Sequence, residues 1–204
     1  SNSPGALFSS VSLNTVHILA CQASDTAGVD ISSGVLVWAR VEKRVAELGE
    51  KITADYRGKY PILIGILKGS SVFMADLIRK IPIPVEIDFL KASSYGAEAR
   101  SSGVVELEAD LSMNVKGRSI LLVEDIVDTG NTLKYLLNRF ESLGAADVKV
   151  CSLLDKPERR EQRVIADYIG FEIPNEFVVG YGLDYAQKYR NLPFIGILKR
   201  EVYE

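Results

Sequence analysis

The fold of this chain is decided by the stretch Ile120-Leu121-Leu122-Val123-Glu124-Asp125-Ile126-Val127-Asp128-Thr129-Gly130-Asn131-Thr132-Leu133. It predicts a buried strand with two adjacent carboxylates, Glu124 and Asp125, at its carboxyl end, followed by a short loop and the start of a helix. Ligands of open α/β sheets bind at this end of the strands, where a helix N-terminus offers free N–H groups and a partial positive charge to a phosphate. Gly130 lets the backbone approach an anion closely, and Thr129 and Thr132 add hydroxyl donors. The stretch therefore predicts a phosphate site.

The same stretch also has a purely structural interpretation. In it Asp128 or Thr129 is the N-cap of the helix, and Glu124 and Asp125 are solvated charges at the end of a strand. Any one of these residues alone favours that interpretation, whereas the whole set favours a site. The two carboxylates would repel a phosphate, so in a site they face hydroxyl groups or a magnesium ion, which prefers oxygen ligands.

The rest of the chain supports an α/β fold. Five apolar residues recur at spacings of three and four between residues 35 and 56 and predict the buried face of a helix: Val41, Val45, Leu48, Ile52 and Tyr56. Further helices are predicted over 71–81 and 131–143, and strands over 62–67, 85–90, 119–123 and 148–154. This alternation predicts a parallel sheet with right-handed crossovers. After Lys156 the chain offers short strands and turns, and we expect these to form a smaller lobe with the residues before Asp30.

Length, charge and composition argue against several classes of protein. The 204 residues fit one domain, and a net charge of -3 argues against a nucleic-acid-binding protein. Neither a membrane-spanning apolar stretch nor a secretion signal in residues 1–10 is evident, so we expect a cytoplasmic protein without a membrane partner. Cys21 and Cys151 are too few for a disulfide framework, and His17 lies far from any cluster of metal ligands.

Residues 123–133 resemble the motif with which type I phosphoribosyltransferases bind phosphoribosyl pyrophosphate (PRPP), in the form typical of the hypoxanthine-guanine branch. The resemblance implies that Glu124 and Asp125 contact the ribose hydroxyls, directly or through magnesium and water. In this branch the aspartate at the position of Asp128 also lies near the purine N7 and is the proposed general base or acid. The resemblance further implies that the 5′-phosphate is held by five consecutive residues, Asp128, Thr129, Gly130, Asn131 and Thr132.

Two segments resemble the parts of this family that bind pyrophosphate. Leu67-Lys68-Gly69-Ser70 resembles the pyrophosphate loop, which often contains a non-proline cis peptide beside the lysine. Arg190 matches the pyrophosphate-binding arginine, whose planar guanidinium suits phosphate oxygens. The resemblance therefore assigns Lys68, Gly69 and Arg190 to pyrophosphate. Without it, the first segment would be a strand-to-helix turn capped by Ser70.

A third segment, Ser93-Ser94-Tyr95-Gly96, resembles the start of the flexible catalytic lid of the family. The lid is then expected over about residues 93–110, with Ser94 and Tyr95 in it. Taken alone, this small, polar segment is equally typical of a surface loop.

Two segments resemble the purine site. Lys156 stands where the family lysine contacts the purine O6, and an ammonium, which only donates hydrogen bonds, favours an oxo group. Residues 176–185 resemble the hood over the base, in which Phe177 stacks on the purine, Val178 offers backbone groups to its edge and Asp184 contacts a second magnesium. Without the resemblance, a surface lysine and a core phenylalanine are the simpler interpretations.

The resemblance implies a type I phosphoribosyltransferase fold, with a central parallel sheet flanked by helices and a small hood lobe. It assigns residues 1–30 to an N-terminal extension and part of the hood, 31–160 to the PRPP-binding core, and 161–204 to the hood segment and last strand of a single domain. The implied reaction is the Mg²⁺-dependent transfer of the 5-phosphoribosyl group from PRPP to N9 of hypoxanthine or guanine, which gives IMP or GMP and pyrophosphate. The implied partners are PRPP, a 6-oxopurine and further copies of the chain, in a dimer or tetramer.

Overall fold

The computed structural model of the chain describes residues 28–94, 105–109 and 111–203. Within them the helices and strands follow one another as β1 (Val29–Leu36), α1 (Trp38–Asp55), β2 (Ile62–Leu67), α2 (Ser70–Ile78), β3 (Glu86–Ser94), β4 (Val105–Ala109), β5 (Ser119–Val127), α3 (Asn131–Ser142), β6 (Asp147–Asp155), β7 (Tyr168–Glu172), β8 (Val178–Val179) and β9 (Ile195–Leu198). Short 3-10 helices cover Pro157–Arg159 and Arg200–Val202. Among the described residues, no helix is both long enough and apolar enough to cross a membrane.

The strands form two sheets. The large sheet has the order β4-β3-β2-β5-β6-β7; its strands β3, β2, β5, β6 and β7 run parallel, and β4 pairs antiparallel with β3 at one edge. The small sheet is antiparallel and has the order β1-β9-β8. The predicted fold class, a central parallel sheet with flanking helices and a small hood lobe, is confirmed.

Apolar side chains cover both faces of the large sheet. In the central strand β2, five of the six residues are buried, as expected where helices pack on both faces. One face packs against α1 and α2, and the predicted face of α1 is buried there: Val41, Val45, Leu48, Ile52 and Tyr56. The other face packs against α3 through Leu133, Leu136 and Phe140.

Two of the boundaries that differ from the prediction are explained by strand pairing. α1 begins at Trp38 rather than near residue 35, because the preceding residues belong to β1, where Leu36 pairs with Ile195 of β9. β5 continues past residue 123, because its pairing with β6 extends to Val127 opposite Asp155. The two carboxylates of the deciding stretch therefore lie within the last part of the strand.

The segment predicted as a lid begins inside the large sheet. β3 extends to Ser94, which pairs with Val105 of β4. Leu67, at the end of β2, pairs with Lys91, so β3 projects three residues beyond the end of β2. Tyr95 lies outside the described residues, and the lid stays a prediction.

The small sheet draws its strands from both ends of the chain. β1 comes from the start of the described residues, and β8 and β9 come from their last third. β7 lies within the range 161–204 that the sequence assigned to the hood, yet it is an edge strand of the large sheet, because Tyr168 pairs with Cys151 of β6. The core sheet therefore extends into that range, while residues 1–27 lie outside the described part of the chain.

Candidate active site

The loop that opens α3 lies at the carboxyl end of β5. The N-cap residue of the helix is Gly130, which has a left-handed φ of 85° that favours glycine. An interpretation in which Asp128 or Thr129 is the N-cap is therefore wrong, because Gly130 holds that position and has no side chain to cap with. Thr129 Oγ1 accepts a long hydrogen bond of 3.4 Å from the N–H of Asn131. Thr132 lies in the first turn, whose N–H groups and partial positive charge suit an anion.

The residues that follow β6 form hydrogen bonds with this loop. The N–H groups of Glu161 and Gln162 donate to the carbonyl of Thr129 over 2.9 and 3.1 Å, and Asn131 Nδ2 donates to Glu161 Oε2 over 2.8 Å. A Cβ atom at Gly130 would lie 3.2 Å from Arg160 Cδ. The sequence interpretation missed this support; its only signal was the polar run directly after Lys156.

Glu124 and Asp125 are half-buried at the end of β5. Burial raises the pKa of Glu124 well above its usual range, and the neighbouring charge of Asp125 adds to this effect. Burial also raises the pKa of Asp125 to about 6, although the N–H of Ile126 and the charge of Arg190 oppose the rise. Glu124 Oε2 is buried with no hydrogen-bond partner among the described residues. Such a pair of carboxylates is costly to keep in a folded protein and is typical of a binding site.

The segment 67–70 forms a tight turn from β2 into α2. The peptide bond between Leu67 and Lys68 is cis, as the resemblance implies for this loop. Ser70 is buried, and its hydroxyl donates to the carbonyl of Ile66 over 2.6 Å. Gly69 lies in this turn, and a Cβ atom on it would overlap the carboxylate of Asp125. The turn and the end of β5 are therefore packed directly against each other.

The hood segment brings a second cation to the same place. Arg190 donates from one guanidinium nitrogen to the carbonyl of Gly182 over 2.7 Å, and its other nitrogen pairs with Asp184 Oδ1 at 2.7 Å. Asp184 Oδ2 also accepts a hydrogen bond of 2.8 Å from the N–H of Gln187. Lys68 Nζ donates to Gln187 Oε1 over 3.2 Å. Five predicted residues from distant parts of the chain thus meet in one cluster: Lys68, Gly69, Asp125, Asp184 and Arg190.

Gln187 was not singled out from the sequence, although it connects Lys68 to the hood. Its position depends on a left-handed backbone with a φ of 65°, a conformation that glutamine as a residue type does not predict. Only the contacts within the folded chain reveal it.

Lys156 lies on the other side of the loop that opens α3. It is buried, with 6% of its surface exposed, so the simpler interpretation as a surface lysine is wrong. Burial lowers the pKa of its ammonium, and the charge of Asp128 opposes this effect. Asp128 Oδ1 lies 3.3 Å from Arg159 Nε. The sequence did not single out Arg159, which follows Lys156 by three residues.

Phe177 and Val178 present two kinds of surface at the edge of the small sheet. Phe177 is half-buried and contacts Tyr185 edge-on at 5.6 Å and Tyr203 at 5.2 Å between ring centroids. The N–H of Leu198 donates to the carbonyl of Phe177, which makes Val178 and its partner Ile197 a non-hydrogen-bonded pair. The N–H and carbonyl of Val178 therefore point away from β9. Because β8 is the outer strand, these groups are directed away from the small sheet.

Comparison with known proteins identifies what the chain resembles. Residues 34–186 match the phosphoribosyl transferase domain. A hypoxanthine-guanine phosphoribosyltransferase of Streptococcus pneumoniae is 52% identical over 174 residues, which cover 85% of this chain and 97% of that protein. Its counterpart in Bacillus subtilis is 49% identical over 175 residues, with coverages of 86% and 97%. A crystal structure of a hypoxanthine phosphoribosyltransferase from Staphylococcus aureus superposes with a TM-score of 0.80 at 45% identity, over 83% of this chain and 92% of the other.

Proposed function

The chain belongs to the phosphoribosyltransferase family, and we propose that it catalyses the purine-salvage reaction for which its relatives are named. In that reaction the 5-phosphoribosyl group of PRPP is transferred to N9 of hypoxanthine or guanine. IMP or GMP is formed, and pyrophosphate is released. The chain is an enzyme of the pentosyltransferase class, and both sequence identity and coverage support that assignment.

One observation carries the proposal most directly: the half-buried carboxylates of β5 lie between a cationic cluster and a helix N-terminus, which suit the two phosphate groups of one substrate. On one side Lys68 and Arg190 form a site for pyrophosphate, with Asp125 packed against the turn that contains Lys68. On the other side the loop that opens α3 leads to the buried ammonium of Lys156. PRPP, in which a ribose separates pyrophosphate from the 5′-phosphate, matches the cationic cluster and the loop, and Lys156 beyond the loop is left for the base.

The residues present fit a magnesium ion. Glu124 Oε2 is a buried carboxylate oxygen without a hydrogen-bond partner among the described residues, and Asp125 is beside it. The described residues contain no group of three or more acidic, histidine or cysteine side chains that could hold a metal alone. Mg²⁺ is usually bound by one or two carboxylates together with substrate phosphates, which agrees with this donor set. We assign Glu124 and Asp125 to it, and Asp184 to the second magnesium that the family resemblance implies.

When bound, Mg²⁺ neutralises part of the charge on pyrophosphate. Lys68 and Arg190 add fixed positive charge where negative charge develops on the leaving group, which lowers the barrier to its departure. The N–H groups of the loop 128–132 hold the 5′-phosphate and keep the ribose in place for attack by N9. These residues orient the sugar between its two phosphate groups.

The base is held by contacts that distinguish oxo from amino groups. The ammonium of Lys156 donates to the purine O6, and the free backbone groups of Val178 face the base edge. Phe177 covers the ring. Asp128 accepts the purine proton from N7 as N9 attacks. Its charge interacts with that of the Lys156 ammonium. This arrangement favours 6-oxopurines over adenine, because an amino group at C6 would also be a donor.

The proposal includes three points that follow from the family. The segment of about residues 93–110, which contains Ser94 and Tyr95, forms a lid that excludes water from the reactive ribose. The chain acts in the cytoplasm. It assembles with copies of itself into a dimer or tetramer.

The reaction is tested by mixing the purified protein with PRPP, Mg²⁺ and hypoxanthine, guanine, xanthine or adenine, and by following nucleotide formation by absorbance. We expect turnover of hypoxanthine or guanine that stops when Mg²⁺ is chelated. Absence of turnover with every base would refute the proposed function.

The role of Asp128 has its own test. Asp128→Asn keeps the size of the side chain but removes the proton acceptor, so kcat is expected to fall about 10²- to 10⁴-fold, with a smaller change in the KM for PRPP. Asp55→Asn, a change of an aspartate at the end of α1, is the matched control. An unchanged kcat in Asp128→Asn would remove Asp128 from the proton-transfer step.

A further inference from the structure

A buried hydrogen bond connects the hood to α2, outside the residues assigned to the substrates. The hydroxyl of Tyr181 donates to Asp76 Oδ2 over 2.6 Å, and both side chains are buried. Asp76 Oδ1 is paired with Arg79 one turn further along α2. The ring of Tyr181 also contacts that of Trp38, with 5.7 Å between the centroids. A buried carboxylate is costly unless its oxygens are paired, and here each oxygen has a partner.

Tyr181 lies in a turn with an unusual backbone. Gly180, Tyr181 and Gly182 have φ values of 99°, 53° and 102°, all in the left-handed region. A side chain on Gly182 would overlap the carbonyl of Gly69, and one on Gly180 would overlap the carbonyl of Phe194. The turn 180–182 is therefore in close contact with the turn 67–70. The side chain of Tyr181 reaches α2.

The same turn holds the pyrophosphate-binding arginine. Gly182 donates its N–H to the carbonyl of Arg190 over 2.9 Å and accepts from the Arg190 guanidinium over 2.7 Å. The N–H of Tyr181 donates to the carbonyl of Leu192 over 2.9 Å. Two hydrogen bonds of Gly182 with Arg190 and one of Tyr181 with Leu192 thus couple any displacement of Tyr181 to Arg190.

The other proposed pyrophosphate-binding residues, Lys68 and Gly69, directly precede α2. The helix begins at Ser70, and Asp76 lies two turns further along it. The two cations come from the large sheet and from the hood. The hydrogen bond between Tyr181 and Asp76 joins α2, which follows Lys68 in the chain, to the turn that is hydrogen-bonded to Arg190.

We infer that Asp76 and Tyr181 are positioning residues that set the separation between Lys68 and Arg190, and thereby the affinity of the site for the pyrophosphate group of PRPP. The inference rests on the proposed function and adds to it a specific role for two residues that do not touch the substrate. Its signature is selective: it concerns pyrophosphate and leaves the base site unaffected, because Lys156 follows β6 in the large sheet and the ring of Phe177 is held by Tyr185 and Tyr203.

The experiment compares Tyr181→Phe with the wild-type enzyme in both directions of the reaction. The phenylalanine keeps the ring against Trp38 and removes only the hydroxyl. A hydrogen bond to a charged, buried group is worth about tenfold in an equilibrium constant. We therefore expect the KM for PRPP, and that for pyrophosphate in the reverse reaction, to rise about tenfold, with the KM for hypoxanthine and for IMP unchanged.

Two further variants separate positioning from general destabilisation. Asp76→Asn keeps an oxygen that can accept from Tyr181, so it should retain most of the affinity for PRPP. Arg79→Gln removes the other partner of Asp76 and leaves the Tyr181 bond in place, so it should behave like the wild type. Thermal melting of each variant identifies any loss of fold.

A Tyr181→Phe enzyme with wild-type KM values for PRPP and pyrophosphate would overturn the inference. Equal increases for pyrophosphate and hypoxanthine would also overturn it, since they indicate a general structural role. If the wild type turns over no base at all, the proposed function fails instead. Calorimetric titration with magnesium pyrophosphate then decides the inference by the same tenfold difference, without any turnover.

Discussion

Replacement of Gly69 by alanine tests whether the turn 67–70 and the carboxylate of Asp125 must lie in direct contact. Gly69 has a helical backbone, with φ of -59° and ψ of -41°, so alanine costs nothing in backbone conformation. The added Cβ would lie 2.5 Å from Asp125 Cγ, against an ordinary carbon–carbon contact of about 3.5 Å. The Cβ would overlap Asp125 Oδ2 still more closely, so the turn or the carboxylate must retreat by at least about 1 Å.

A displacement of this size acts on both groups that the proposed function needs near C1′ of PRPP. Misplacement of reacting groups by about 1 Å costs on the order of 10²-fold in rate. We expect kcat/KM for PRPP in Gly69→Ala to fall by about that factor. The KM for hypoxanthine should change little, because Lys156 lies beyond the loop that opens α3.

The assay is steady-state nucleotide formation at saturating hypoxanthine and varied PRPP. Gly58→Ala is the control: its φ of 77° makes alanine strained, but the added Cβ meets nothing within 4 Å. It should lower the melting temperature and leave kcat/KM unchanged. If Gly69→Ala stayed within threefold of the wild type, Asp125 would have room to move, and the contact with Gly69 would have no catalytic consequence.

The remaining predictions concern Lys156 and the core. Because burial lowers the pKa of Lys156, its ammonium loses its proton at a lower pH than an ordinary lysine, so the KM for hypoxanthine should already rise with pH below the ordinary lysine pKa of about 10.4. In Lys156→Arg, which stays charged, that rise should be weaker when the two enzymes are compared at each pH, and identical pH dependences would contradict the assignment. Changing the fully buried Phe140 of α3 to alanine should lower the free energy of unfolding by about 3 to 5 kcal/mol, measured by urea denaturation. Leu143→Ala, at an exposed position at the end of the same helix, should lower it much less.

Much of the core could be predicted because its signals are local. The strand at 62–67 was predicted with the bounds that the structure has, since a continuous apolar run is bounded there by Pro61 and by the glycine turn after Leu67. The helix 131–142 was predicted almost to the residue, because Gly130 and Gly144 flank a clear apolar period. Both elements depend on side chains within a few residues of each other.

The boundaries that were wrong depend on distant partners. Leu36 lies in the range 35–56 in which the apolar spacing indicated a helix, yet it pairs with a strand almost 160 residues later in the chain. Likewise, Glu124 and Asp125 suggest the end of a strand by their polarity, whereas the ladder with β6 carries the strand through them to Val127. Neither partner can be read from the local pattern.

The candidate site shows the same division. The residues of its motifs were recognised from their order along the chain, and the structure brings most of them together. Gln187 and Arg160 were not recognised, because each acts through a contact with a residue far away in sequence or through a backbone conformation. For Arg160 the basic pair after Pro157 was a weak signal; for Gln187 no residue type indicated the contact with Lys68.

The backbone of the hood segment explains why that contact is hard to foresee. In the described part of the chain, the non-glycine residues with left-handed φ are all in this segment: Tyr181, Ala186, Gln187 and Tyr189. Each such residue costs about 1 to 2 kcal/mol relative to a right-handed backbone, so the segment needs tertiary contacts to hold it. Those contacts are the hydrogen bonds of Tyr181 and the pairing of Arg190 with Asp184. Contacts with distant residues therefore hold this segment, which contains Arg190, in a conformation that a pattern of local preferences does not predict.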